Sequence, residues 1–117
     1  MNQTVRSPMT LEVDLHGAYI RRVVLRGAVL DRANLSGADC TGADFSSTQL
    51  RQAILLRTDF TNANLQGADF DRADLDGTIL RGADLTGAKN LTALQLRPAI
   101  VDAGTKLPSY LISTLGI

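Results

Sequence analysis

The sequence predicts an all-β solenoid whose coils stack into a short column. A five-residue period runs without a gap from Val13 to Gly87, the middle position of each block is apolar, and the position two residues earlier is small or β-branched. Side chains two residues apart lie on one side of an extended segment, and the next pair follows three residues later, so the chain turns once per block. A helix is excluded, because a period of five leaves no fixed apolar stripe around 3.6-residue turns.

The apolar middle positions are expected to fill the interior of the column. They are Leu15, Ile20, Leu25, Leu30, Leu35, Cys40, Phe45, Leu50, Leu55, Phe60, Leu65, Phe70, Leu75, Leu80 and Leu85. The last position of a block is glycine in eight of the fifteen blocks and polar or charged in the others, which suits a tight corner. Cys40 is expected to be an inert buried residue beside the larger Phe60. Thr48, Thr58 and Thr78 replace alanine on the inner row, so each hydroxyl needs a main-chain partner.

Several blocks carry a recognisable signature. Residues 33–37, 38–42, 63–67 and 83–87 read ANLSG, ADCTG, ANLQG and ADLTG, and they resemble the A(D/N)LXX signature of the pentapeptide-repeat family. This resemblance implies a right-handed quadrilateral parallel β-helix of about four coils, with four blocks per coil and residues twenty apart stacked. We therefore divide the chain into an N-terminal segment and cap at 1–12, a β-helix at 13–89, and a C-terminal cap helix and tail at 90–117.

The two ends are expected to be covered differently. Met9 and Leu11 are placed to cover the first coil, since an open strand edge invites aggregation. The first coil carries apolar residues where Asp or Asn is typical, and three arginines. These residues are Tyr19, Val24 and Val29, together with Arg21, Arg22 and Arg26. We favour an end coil whose apolar side chains meet the N-terminal segment over a basic contact with an acidic partner.

At the C-terminal end, Thr92 to Gln95 form a capping-box sequence that predicts a short helix from Thr92, limited by Pro98. The tail beyond it is richer in apolar residues than a small cap requires. Its candidate contact residues, Tyr110, Leu111, Ile112 and Leu115, either pack back on the column as a cap or form a homodimer contact.

Two outward-facing groups are candidate functional sites. Ile54 and Leu56 point outward from one block on a polar wall. They are either a candidate partner contact or ordinary surface aliphatic residues, the interpretation that we favour. A candidate acidic wall on two neighbouring faces consists of Asp39, Asp59, Asp44 and Asp84. These carboxylates either hydrogen-bond to nearby main chain, the interpretation that we favour, or imitate phosphate charge.

Composition excludes several classes of function. The chain of 117 residues has twelve basic and twelve acidic side chains, so no direct nucleic-acid binding is indicated. It lacks an apolar run long enough for a membrane span and the apolar core of a signal peptide, and its single cysteine cannot form an internal disulfide. With a single cysteine, we expect a cytoplasmic protein. We expect no catalytic residues, cofactor or metal, because the lone His16 has no evident catalytic partners.

The function predicted from the sequence is that of a non-enzymatic structural or protein-interaction module with an unidentified protein partner. The family resemblance implies an alternative, a DNA-mimicking modulator of DNA gyrase of the quinolone-resistance kind. That mimicry depends on a long, strongly acidic rod, whereas this chain is short and its charge is balanced.

Overall fold

The computed structural model describes residues 12–115, with side chains described as far as Ile112. Parallel bridges join residues twenty apart, so that each turn of the chain lies on the previous one and four bridges recur per twenty residues. Each bridge joins a single residue of one coil to a single residue of the next. Neighbouring coils are about 4.8 Å apart. The result is a four-sided column, and we number its sides faces 1 to 4 in chain order.

The bridge residues define the faces. Face 1 contains Asp14, Asn34, Ile54 and Asp74; face 2 contains Tyr19, Asp39, Asp59, Ile79 and Ile100; face 3 contains Val24, Asp44, Asn64, Asp84 and Lys106; and face 4 contains Val29, Gln49, Asp69 and Lys89. The side chains of these bridge residues point outward, away from the buried residues on either side of them in the chain. The four faces therefore display most of the residues available for recognition.

Each corner is a tight turn that needs a left-handed residue. The amide of Ala18 donates to the carbonyl of Leu15 at 3.0 Å, and Gly17 between them has a φ of +66°. A positive φ at the third residue is characteristic of type II turns. The corners without glycine adopt the same conformation; Arg57, for example, has a φ of +54°. The corner positions predicted from the five-residue period are thus confirmed.

The interior is filled by the predicted inner rows. The middle positions from Leu30 to Leu85 and the small residues of the inner row from Ala33 to Ala88 are buried, whereas the interior of the first coil is partly open. Phe45 and Phe60 meet edge to face, with ring centroids 5.1 Å apart. The inner threonines find the main-chain partners that they need; Thr48 Oγ1 donates to the carbonyl of Phe45 at 2.7 Å.

The C-terminal end of the column is closed by two helices and two further bridges. Helix α1 (Ala93–Leu96) starts with a capping box in which Thr92 accepts from the Gln95 amide. Helix α2 spans Ser109–Leu115. Between the helices, Ile100 and Lys106 extend faces 2 and 3, at spacings of 21 and 22 residues from the coil before. The parallel bridging therefore continues past residue 89.

Candidate functional site

The carboxylates of the candidate acidic wall are tied into local turns. Asp39 Oδ1 accepts from the amide of Thr41 at 3.1 Å and from its hydroxyl at 2.7 Å. Asp44 and Asp59 make the same pair of contacts with the residue two places on. At these three positions the carboxylate therefore accepts from the main chain and the hydroxyl of the residue two places on.

The four carboxylates do not form one continuous cluster. Asp39 and Asp59 are neighbours on face 2, but Asn64 separates Asp44 from Asp84 on face 3. The Thr41 hydroxyl and then Arg21 lower the pKa of Asp39. Burial acts to raise the pKa of Asp84, but hydrogen bonds from Thr86 and Gln66 and the charge of Lys106 together lower it.

Arginines of the first coil neutralise part of this wall. Arg21 Nε donates to Asp39 Oδ2 at 2.7 Å, and Arg26 Nη2 donates to Asp44 Oδ2 at 3.2 Å, each from the coil before. Both arginines remain largely exposed to solvent. Ion pairs of this kind contribute about 0–1 kcal/mol to stability, but they cancel negative charge on the wall.

Face 4 and its corner carry a second group of ion pairs. Arg51 contacts Asp31 in the coil before it, with Nη2 to Oδ2 at 2.7 Å. Arg72 lies 3.7 Å from Asp71. A cleft of about 170 Å³ runs along these residues and is lined by Asp31, Arg32, Arg51, Gln52, Asp71 and Arg72. Positive and negative groups alternate within it, so it offers no single-sign site for an ion.

The candidate partner contact lies in the third coil. Ile54 is 38% exposed at the bridge position of face 1, between Asn34 and Asp74. Leu56, at the corner that leads to face 2, is half-buried. On face 2 of the following coils, Ile79 pairs with Ile100, which is 37% exposed. We call these four residues, Ile54, Leu56, Ile79 and Ile100, the apolar strip.

Sequence reasoning identified only the first two residues of the strip. Ile79 stands between the polar bridge residues Asp74 and Asp84, and Ile100 lies beyond the regular repeat. The signal available in the sequence was that Ile54 and Ile79 are the apolar residues among the bridge positions from Asn34 to Lys89.

The C-terminal candidates contact the end of the column. Tyr110 lies with its hydroxyl oxygen 3.2 Å from the Ala88 carbonyl and 3.0 Å from the Leu91 carbonyl, and Leu111 is buried. Ile112 is largely exposed and borders a cleft of about 290 Å³. That cleft is lined by Val101, Asp102, Ala103, Thr105, Leu107 and Ile112. The side chain of Leu115 lies outside the described residues.

The first coil carries the apolar residues with the most exposed surface on the faces. Tyr19, Val24 and Val29 are 74%, 70% and 64% exposed, and the guanidinium of Arg21 lies 5.2 Å from the centre of the Tyr19 ring. The expected cover, Met9 and Leu11, lies outside the described residues.

His16 and Cys40 are the described residues whose side chains bear most on catalytic or metal chemistry. His16 Nδ1 lies 2.6 Å from Asp14 Oδ1, but both side chains are exposed and, within residues 12–115, no hydrogen bond joins His16 to Ser36 in the next coil. Burial, and then the nearby Asp39 and Asp59, raise the pKa of Cys40 to about 12. The described residues contain no group of three or more metal-binding side chains and no helix long and apolar enough to cross a membrane.

A four-sided column of stacked five-residue turns defines the protein as a β-helical solenoid. The family model of pentapeptide repeats matches residues 12–46, 38–77, 53–89 and 63–96 in eight copies, and the chain belongs to this family. Its members form right-handed quadrilateral β-helices, and they are generally non-enzymatic structural or interaction proteins. No curated protein sequence matches the chain.

Solved structures resemble it to different degrees. The pentapeptide repeat protein Rfr23 from the cyanobacterium Cyanothece 51142 has a TM-score of 0.78 and 29% identity, over 86% of this chain and 67% of that one. A pentapeptide repeat protein from Nostoc Pcc 7120 has a TM-score of 0.52 and 26% identity, over 83% and 75%. QnrB1, a plasmid-mediated fluoroquinolone resistance protein, has a TM-score of 0.49 and 19% identity, over 88% and 62%.

Proposed function

We propose that this protein is a non-enzymatic interaction module that binds a protein partner through the apolar strip on faces 1 and 2. The observation that carries the proposal is the position of Ile54. It is 38% exposed on a wall whose neighbouring bridge residues, Asn34 and Asp74, are polar. An aliphatic side chain exposed on a polar wall supplies apolar area for contact with another protein.

The remainder of the strip extends this contact. Leu56 continues it across the corner, and the Ile79–Ile100 bridge places two more aliphatic residues on adjacent coils of face 2. Polar and charged residues such as Asp59 and Asp76 surround the strip. An apolar centre with a polar rim is the usual anatomy of a protein interface.

The partner class follows from the same surface. The strip lies on flat walls, and the clefts described above are lined by other residues. Flat apolar surface with a charged surround suits a folded protein better than a small molecule, which needs a concave site. The balanced charge of the chain favours neither a nucleic acid nor a strongly acidic partner.

The test is affinity capture from a lysate of the source organism with three baits. These are the unchanged protein, Ile54→Asp, and the control Gln49→Asp, which places the same carboxylate at the equivalent bridge position of face 4. The proposal expects a protein retained by the unchanged and control baits and lost from Ile54→Asp. Equal retention by all three baits would exclude the apolar strip as the contact.

A further inference from the structure

The two ends of the column differ in how far their main-chain amides and carbonyls are hydrogen-bonded. In the second coil, the Asn34 amide donates to the Val13 carbonyl at 2.8 Å, and the Asn34 carbonyl accepts from the Leu15 amide at 2.7 Å. Later bridge residues use the amide in the same way, towards the coil before. In the first coil, the amides and carbonyls of the bridge residues have no hydrogen-bond partner within residues 12–115. We call these four residues, Asp14, Tyr19, Val24 and Val29, the N-terminal rim.

The opposite end is covered by the chain itself. Gln95 Nε2 donates to the carbonyls of Phe70 and Ala73 at 2.9 Å each. Ile100 and Lys106 add bridges to faces 2 and 3, and the Tyr110 hydroxyl contacts the end of face 4. The column therefore has a closed C-terminal end and a rim at its N-terminal end.

Three of the four rim side chains lack the features that usually protect a strand edge. Such edges are blunted by Lys, Pro or inward charges, whereas Tyr19, Val24 and Val29 are good β-formers and are exposed by 64–74%. The nearby Arg21 and Arg26 extend towards the second coil, where they bind Asp39 and Asp44. The charge of Arg26 is thus directed away from the rim, whereas the guanidinium of Arg21 also lies 5.2 Å from the centre of the Tyr19 ring.

We propose that the N-terminal rim pairs with the same rim of a second copy of this chain, giving a head-to-head dimer about a twofold axis perpendicular to the column. Such an axis reverses the chain direction, so the facing strands are antiparallel. In an antiparallel hydrogen-bonded pair, each residue both donates and accepts towards its partner. That is the arrangement a rim residue offers, since neither its amide nor its carbonyl has a hydrogen-bond partner among residues 12–115.

The shape of the rim favours a second copy over an extended peptide. The rim turns a corner every five residues, so a straight peptide could pair along one face, whereas another square coil can pair along three adjacent faces. A twofold axis through face 2 places Tyr19 beside Tyr19 of the partner subunit and Asp14 beside Val24 of the partner subunit. It thereby avoids two like charges opposite each other, which would be destabilising.

The mass of the full-length protein in solution tests the inference. Light scattering coupled to size-exclusion chromatography is expected to give about 25 kDa, twice the 12.5 kDa of the chain. Val24→Lys and Tyr19→Lys should each return the mass to that of one chain with an unchanged circular dichroism spectrum, because a charge is placed at the paired edge. Leu94→Lys is the matched control: Leu94 is 71% exposed, as Val24 is 70%, but lies in α1 at the other end. It should remain dimeric.

Three results would overturn the inference. A single-chain mass for the unchanged protein would mean that the rim does not associate with a second copy. A dimer that survives both rim substitutions would place the interface elsewhere, and loss of the dimer in Leu94→Lys would place it at the C-terminal end. Each of these results leaves the apolar strip untouched, since Ile54 lies two coils from the rim on face 1.

Discussion

The hydroxyl of Thr58 donates a hydrogen bond of 2.7 Å to the carbonyl of Leu35, so a side chain in the third coil is bound to the main chain of the second. Thr78 repeats the contact one coil later, with 2.6 Å to the Leu55 carbonyl. Both threonines are buried. These bonds tie successive coils together inside the column, where water cannot compete.

Replacing Thr58 with valine should therefore lower the free energy of unfolding by about 1 kcal/mol, because the shape is kept and one buried hydrogen bond is lost. Urea denaturation would show a lower midpoint with an unchanged slope. Thr78→Val should behave alike. If both variants match or exceed the original stability, the hydroxyls do not stabilise the stack.

A pair of corner substitutions tests the requirement for left-handed residues. Gly37 has a φ of +66°, and a Cβ there would meet nothing within 4 Å, so Gly37→Ala adds backbone strain without a clash. We expect a loss of about 1 kcal/mol. Arg57→Gly, at a φ of +54°, should be neutral or stabilising, since relief of strain offsets the added flexibility of the unfolded chain. Equal losses in both variants would contradict this explanation.

Cys40 should be unreactive in the folded protein. Burial raises its pKa to about 12, and its side chain is fully enclosed, so neither the thiolate nor access to it is present near neutral pH. An aromatic disulfide reagent should label one thiol per chain only after denaturant is added. Rapid labelling in buffer alone would show that the second coil opens.

Protonation of Asp39 on face 2 should lower the stability of the protein at acidic pH. Its pKa in the folded protein is lowered from 3.8 by the Thr41 hydroxyl and then by Arg21, so its stabilising effect is present above that value and is lost as the pH falls through the lower, folded pKa. The melting temperature of Asp39→Asn should therefore fall less steeply below about pH 4 than that of the unchanged protein. Parallel curves for the two proteins would count against this assignment.

The alternative of gyrase modulation has its own test, a supercoiling reaction with and without a quinolone. We expect the purified protein to change neither, because its net charge is zero and arginines pair with Asp39 and Asp44. Protection or inhibition that disappears when Asp39, Asp44, Asp59 and Asp84 become asparagine would instead favour the DNA-mimic alternative.

Local spacing predicts much of this molecule. The five-residue period identifies which residues point inward and where the corners fall, because both depend on neighbours in the chain. It also predicts that Thr58 needs a main-chain acceptor. A twenty-residue stack then follows from the family resemblance, and residues such as Asp39 and Asp59 become neighbours on one face.

Other features depend on contacts that spacing does not encode. Ile100 joins face 2 at a spacing of 21 residues because α1 interrupts the repeat, and no motif marks that register. Arg21 reaches Asp39 because its side chain is long and flexible enough to cross to the next coil. Leu56 is less exposed than the outward pattern suggests.

The most direct test of the central claim is the affinity of the captured partner for three purified proteins, measured by titration calorimetry. The apolar strip predicts that Ile54→Asp raises the Kd about tenfold or more, as expected for a buried interface residue, while Gln49→Asp leaves it unchanged. A Kd that is the same for the unchanged protein and Ile54→Asp would contradict the assignment of face 1 as the binding surface.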